Sequence, residues 1–534
     1  MDRCFTLLSS LTIVLLAGAL LLFLIPMFSR GLSAVFFDGT VEFRKMQAEL
    51  FERGDREALQ RETERTEAAR SEVFALLERF SAGIDTQQLE DEAKSLYRQY
   101  GDELRYRDTP TENYVAYRRD AREIRDRLIE AFAGEDKAEV YAILDEISKY
   151  ADDPRFVGTS MQRLIALAGQ YRQTIKGIDL TQRSTYAAEL DAVKEQLRAL
   201  FGPLPGESEP SLAMYRFGAT RRDVMDKHIH YLVYREKWIQ QAPDQPLVKV
   251  LVRRDDPEQG VFAGTELAPL FGLIESQAES MLEPRWTFYW QYFIDDSTPG
   301  HYFGGVGPEV LGTLLLTLLA MLFAVPPGVI SAAYLVEYAG QNVVIKIIRT
   351  CINTLAGVPS IVYGLFGLAF FVMLVGKPCI LTASLTLALL VLPVIIRASE
   401  EAIRAVPRTY REASLALGAG TFRTFMTVTL PAAGPGILTG IILSLSRAAG
   451  ETAPILFAGA VALGPVPDFS GKWWLQPTRA LSYGSYDITV GDKLAMMVPH
   501  NQYGMVTTLI LLVLLLNIAA IVIRLRMSRK LRGS

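Results

Sequence analysis

Apolar and polar stretches alternate on a coarse scale along this chain. An apolar run occupies residues 5–28, a stretch rich in Glu, Arg, Asp and Gln fills 29–305, and apolar runs return from Val306 onward. The later runs fall at 309–336, 345–375, 380–396, 432–463 and 505–523. About 20 apolar residues suffice for a helix to cross a hydrocarbon core of ~30 Å, so with the first run these predict six transmembrane helices. The expected fold is an all-α polytopic membrane protein carrying a large insert. Its expected parts are a first transmembrane helix (1–28), a soluble insert (29–305) and a membrane core (306–534).

The first run is longer than the apolar part of a signal peptide, and Ile25-Pro26-Met27-Phe28 lacks small residues at cleavage spacing, so a retained helix is expected. Charge sets the predicted orientation. Arg3, Lys346, Arg349, Arg397, Arg404, Arg408, Arg411, Arg423, Arg524, Arg526, Arg529, Lys530 and Arg532 fall on one side of the six spans. Only Lys377, Lys472, Arg479 and Lys493 fall in the short loops of the other. The positive-inside rule then puts both termini in the cytoplasm and the insert outside.

Within the insert, Val73, Leu76, Leu77 and Phe80 repeat at helical spacing, as do Ile124, Leu128, Ile129 and Phe132. The Gly202-Pro203-Leu204-Pro205-Gly206-Glu207-Ser208-Glu209-Pro210 stretch marks a linker, and residues 246–252 read as a strand, so the distal part is expected to mix α and β. The aromatic stretch Trp286-Thr287-Phe288-Tyr289-Trp290-Gln291-Tyr292-Phe293 suits either an interfacial segment on the outer leaflet or a buried core element.

Composition narrows the chemistry. Half of the 534 residues are hydrophobic and the formal net charge is −4, with acidic and basic residues interleaved, so there is no nucleic-acid footprint. Cys4, Cys351 and Cys379 lack metal or disulfide spacing and read as small buried hydrophobes. His228 and His230 stand two apart with no completing ligand cluster, which argues against a metal. No Gly-x-x-x-x-Gly-Lys-Ser/Thr loop is present to cradle a nucleotide.

Two motifs remain. Arg411-Glu412-Ala413-Ser414-Leu415-Ala416-Leu417-Gly418 lies in a basic loop and is followed by Val428-Thr429-Leu430-Pro431. Small residues there make a narrow helix, Gly418 permits a turn, and Pro431 is expected to start the next span. Ser446-Arg447-Ala448-Ala449-Gly450-Glu451-Thr452-Ala453-Pro454 falls inside the fifth predicted span. An intramembrane Arg costs roughly 2.5–3.5 kcal/mol on insertion scales, so it calls for a reason. Arg447 and Glu451, four apart, are expected on one helix face. Either they neutralise each other for insertion, or Arg447 offers its donor fork to an oxyanion. In the second case Glu451 accepts a phosphate hydroxyl proton, which sulfate lacks.

The first motif resembles the EAA loop of ABC-importer permeases, with Ser414 for the second Ala and Val428 for an Ile. The second is similar to the Arg-Ala-x-Gly-Glu-Thr-Ala-Pro signature of PstA-type permeases of phosphate importers, as is Gly357-Val358-Pro359-Ser360-Ile361-Val362-Tyr363-Gly364. The resemblance covers the first span and the region from Val306 onward, not the insert. It implies a type I permease core of six helices in a bacterial inner membrane. Glu412, Ala413, Ser414, Gly418, Leu430 and Pro431 would dock on a separate ATPase dimer holding ATP and Mg. Arg447, Glu451 and Thr452 would line the path of inorganic phosphate. A PstC-type sister permease and an extracytoplasmic phosphate-binding protein would complete the system. This chain itself would hold no cofactor and be no enzyme. The alternatives are a permease for sulfate or molybdate, or a membrane receptor sensing through its insert.

Overall fold

A computed structural model describes residues 2–106, 110–208, 216, 219–240, 247–340, 342–461, 464, 466–469, 471–490 and 499–531. Glu209, Pro210, Pro246, Leu463, Lys493 and Arg532, invoked above, lie outside the described residues. The chain forms two units, one of Met1–Phe37 with Thr287–Ser534 and one of Asp38–Trp286. Residues 29–37 and 287–305, grouped by polarity with the insert, thus cluster with the membrane helices. Local pairing explains this: Tyr289 N–H donates to Val35 C=O at 2.8 Å, and the Phe36 and Phe288 rings stack at 4.9 Å.

The unit 38–286 is helical. Its helices are Val41–Phe51, Arg56–Ile84, Gln87–Tyr106, Thr111–Ala133, Lys137–Ser148, Ser160–Thr174, Arg183–Phe201, Arg222–Val233 and Ala268–Leu282. Asp55 starts the second of these by accepting from the N–H groups of Glu57 and Ala58, satisfying donors that have no partner within a helix's first turn. Val73, Leu77 and Phe80 are buried at the predicted spacing, with Ile124, Leu128 and Phe132. The core they join is mainly aliphatic, with aromatic pairs set into it. Phe80 meets Tyr186 and Phe262 edge-on, and Phe132 meets Tyr171. The predicted strand is Val248–Arg253, paired antiparallel with Tyr234–Ile239. Gly202 and Gly206 take positive φ in the predicted linker, a geometry open to residues without Cβ.

His228 and His230 both sit on the Arg222–Val233 helix and turn to different partners. His228 Nδ1 lies 2.9 Å from Gln196 Oε1, while His230 stacks on Tyr234.

In the other unit, five helices among the described residues are long and apolar enough to cross a membrane: Ser10–Leu32, Gly307–Tyr338, Ile380–Arg404, Thr421–Gly450 and His500–Ser528. They are spans one, two, four, five and six. Span three is the pair Val343–Ala356 and Ser360–Val375, bent by 101° where a single helix was expected. Pro359 causes the break: it has no N–H to continue the ladder and it pushes Val358 toward extended backbone. Span five was expected at 432–463, yet it begins at Thr421 and ends at Gly450. Pro431 therefore lies within the span, while standing in the first turn of its main α-helix, Leu430–Gly450. A π-helical turn, Phe425–Thr429, precedes the proline and absorbs the interrupted hydrogen-bond register.

These helices pack on small residues. A Cβ on Gly436 of span five would lie 2.7 Å from the Ala402 Cβ of span four, and one on Gly440 would collide with Ala398. This is a small-xxx-small seam, through which apolar helices approach closely enough for van der Waals attraction to hold them. Gly328 of span two fits against Ile395 in the same way. Cys379 is buried as predicted, at the start of span four, whereas Cys351 is exposed, contrary to expectation, because its helix buries none of its residues. The aromatic stretch before span two divides between its two readings: Tyr289 and Tyr292 are buried, while Trp286, Phe288, Trp290 and Phe293 are exposed.

Candidate functional site

Arg447 sits in the last turn of span five, where the unpaired carbonyls of a helix C-terminus favour a cation. The helix then stops. Glu451 takes extended backbone (φ −80°, ψ 121°), so the pair does not share one helix face as expected. Instead the carboxylate lies just past the helix end and turns back, Arg447 Nε standing 3.3 Å from Glu451 Oε1. Both side chains are partly exposed, so each keeps hydrogen-bonding capacity open. Gly450 and Pro454 bracket the break, and the chain resumes as a short helix, Ala453–Ala458.

The break is held on three sides. Thr452 Oγ1 donates to Ser482 C=O and Ser482 Oγ donates to Glu451 C=O, both at 3.4 Å. Thr382 Oγ1 of span four donates to Ala458 C=O at 2.6 Å, fixing the far end of the short helix. On the third side stands the other half of the resemblance. A Cβ on Gly364 would lie 2.7 Å from the Ala453 carbonyl oxygen and 3.1 Å from Pro454 Cα, so only glycine allows this approach. The stretches 357–364 and 446–454, far apart in sequence, meet at the break. Tyr363, next to Gly364, is buried and donates to Leu355 C=O at 2.8 Å across the bend of span three.

The loop motif forms a second site. Arg408–Ala416 is a helix preceded by Pro407, and Gly418 follows it with φ +84°, a left-handed turn that disfavours any residue with a Cβ. Arg411 anchors it by two contacts, Nε to Glu337 Oε1 at 3.0 Å and Nη2 to Ile403 C=O at 2.7 Å. Ser414 Oγ and Thr424 Oγ1 share a 2.9 Å hydrogen bond. With these residues turned inward, Tyr410, Glu412, Ala413, Leu415, Ala416 and Leu417 are exposed, Leu417 at 89%. Leu430 and Pro431 are partly buried in span five and belong to the support of this surface rather than to the surface itself.

Sequence reading missed Glu337, Ser482 and Thr382, which no local motif marks because their partners are remote in sequence. It also missed the role of Gly364, although the glycine stood in a quoted motif, and the Gly436-x-x-x-Gly440 seam, which was visible as a pattern.

Residues 324–533 match the family described as binding-protein-dependent transport system inner membrane component. The phosphate transport system permease protein PstA 1 of Mycobacterium tuberculosis (strain ATCC 25618 / H37Rv) is 35% identical over 246 residues, which is 46% of this chain and 77% of that protein. The probable ABC transporter permease protein YqgI of Bacillus subtilis (strain 168) is 35% identical over 229 residues, 41% of this chain and 76% of its own length. Among solved structures, a chain of the MetNI methionine ABC transporter in an inward-facing conformation aligns at 23% identity. That alignment covers 41% of this chain and 95% of the other, with a TM-score of 0.34.

Proposed function

We propose, from the premise that the chain belongs to the family of binding-protein-dependent transport system inner membrane components, that the substrate it passes is inorganic phosphate. It is a permease subunit of an ABC importer and a multi-pass inner-membrane protein; proteins of this kind are not themselves enzymes. The observation that carries phosphate is the Arg447–Glu451 pair at an interrupted membrane helix. Intramembrane ionisable residues that line a cavity mark substrate pathways, and irregular backbone at membrane depth is tolerated where it lines one. Arg447 presents a planar donor fork matched to two phosphate oxygens. Glu451 accepts the hydroxyl proton that distinguishes hydrogenphosphate from sulfate. Thr452 completes the path, its backbone being part of the break. That the relative in M. tuberculosis is named for phosphate transport agrees with this reading.

The same proposal assigns the exposed Arg408–Ala416 helix to an ATPase partner. An exposed face of small and apolar residues around Glu412, held from behind by Arg411 and Ser414, suits docking in a groove. ATP and Mg belong to that partner, a PstC-type permease forms the other wall of the path, and a phosphate-binding protein delivers from outside. Basic residues on the loop side orient that side and both termini to the cytoplasm, and the insert to the periplasm.

Phosphate uptake by Arg447→Lys tests the reading. The charge is kept but the fork is lost, and uptake is expected to fall roughly tenfold or more at unchanged membrane abundance. Uptake equal to wild type would overturn the assignment of Arg447.

A further inference from the structure

Span four carries a second Arg-x-x-x-Glu: Arg397-Ala398-Ser399-Glu400-Glu401, against Arg447-Ala448-Ala449-Gly450-Glu451 in span five. Arg397 and Glu401 line a cavity of about 180 Å³ with Arg349, Asn353, Glu400 and Arg404. The cavity lies between the inner end of span four and the bent-off helix Val343–Ala356.

The charges within it are not equivalent. Glu400 is already satisfied twice, by Arg349 at 3.3 Å and by Arg404 at 2.5 Å. Arg397 and Glu401, in contrast to Arg447 and Glu451, make no ion pair among the described residues, although both are exposed on the same cavity. Arg349 Nε is buried with no acceptor among the described residues, while its Nη2 donates to Leu335 C=O at 2.8 Å. Three arginines against two glutamates leave the cavity one positive charge in excess. It therefore offers an unused guanidinium fork, an unused carboxylate acceptor and a net attraction for an anion.

We infer that this cavity is a second phosphate site, on the side of the membrane that carries the basic loops, binding hydrogenphosphate as it leaves the path. The inference rests on the proposed phosphate function and deepens it. Arg397 donates to two phosphate oxygens, the geometry in which guanidinium outdoes ammonium. Glu401 accepts the P–OH proton. That second contact selects the ligand. Inorganic phosphate keeps at least one hydroxyl at neutral pH, whereas a phosphodiester lipid headgroup or sulfate has none, and Glu401 would repel it.

Cys351 provides a probe, being exposed and adjacent in sequence to the cavity-lining Ile352. The full chain with Cys4→Ser, in lipid nanodiscs and nitroxide-labelled at Cys351, is titrated with inorganic phosphate while the phosphate ³¹P line width is recorded. Saturable broadening is expected, at least tenfold weaker in Arg397→Gln. Sulfate should compete poorly with wild type and better with Glu401→Gln, and short-chain phosphatidylglycerol should not compete. Absence of broadening in wild type, equal broadening in Arg397→Gln, or displacement by the phosphodiester would overturn the inference. Cellular phosphate uptake, measured on the unlabelled chain, separates the two claims. Uptake without site-specific broadening defeats this site alone, whereas absence of uptake defeats the phosphate reading itself.

Discussion

The insert and the membrane unit solve packing in opposite ways. The insert buries large side chains: Phe80, Phe132, Tyr171, Phe262 and Phe271 are all under 2% exposed. The membrane unit adds close contacts at Gly328, Ala398, Ala402, Gly436 and Gly440 to a core that also holds Leu316, Leu387, Leu390 and Ile395, and it leaves other large side chains such as Leu322, Ile330 and Phe370 exposed. In water, burial of apolar surface drives folding, so large residues go inside. In lipid that drive between helices vanishes, and close approach of small residues replaces it. Charge is distributed differently as well. Buried charge in the insert is knit into its own core, Arg70 lying 3.4 Å from Glu42 and donating to Met281 C=O at 2.8 Å, with burial pushing its guanidinium pKa down. The membrane unit places ion pairs where helices break or end, at Arg447–Glu451 and at Arg411–Glu337, and it buries one as well, Glu309 lying 3.5 Å from Arg479.

Opposite substitutions should therefore damage the two units. Phe80→Ala leaves a cavity in the insert and is expected to cost about 3–5 kcal/mol, read by pulse proteolysis of the full chain. Gly440→Leu forces spans four and five apart and should deplete the protein from the membrane. Conversely, Leu443, exposed on span five, should tolerate Ala with little loss. If Gly440→Leu were neutral and Leu443→Ala harmful, the contrast would be broken.

A smaller effect is expected at the exposed loop, which the membrane unit supports but does not bury. Gly418→Val strains a left-handed turn by about 1 kcal/mol or more, without a clash, since nothing lies within 4 Å of the added Cβ. The protein should insert normally while phosphate uptake falls and ATP hydrolysis by the partner ceases to respond to it. Unchanged coupling would remove this loop from the account.

The smallest effect sharpens the insert side. Burial, with Lys227 nearby, holds the His228 pKa below its ordinary 6.5. The unfolded imidazole then binds a proton that the folded one refuses. Stability is full above about pH 6.5 and declines below it, with a slope of at most about 1.4 kcal/mol per pH unit. His228→Gln should remove that part of the acid dependence between pH 7.5 and 5.5 in the same proteolysis assay. An identical pH profile would show that His228 contributes none of it.

Hydropathy and helical spacing made the spans, the helical insert and residues such as Val73 and Phe132 legible before any coordinates. Interruptions were not, because composition stays apolar across them. Gly357-Val358-Pro359 bends span three within an unbroken apolar run, and Ala453–Ala458 continues the apolar run past the end of span five. Both breaks carried glycine and proline in plain view, yet hydropathy averages over them. The partners of the site residues were hidden for a different reason. Glu337 for Arg411, and Gly364 for Ala453, are brought near by folding alone.

The central claim is that Arg447 and Glu451 meet phosphate and do not merely cancel each other's charge. Arg447→Met with Glu451→Gln removes both charges at similar volume, so a pair kept only for insertion would be dispensable. The account predicts that the double variant reaches wild-type abundance in the membrane while phosphate uptake remains at least tenfold down. Full uptake by the double variant would contradict it.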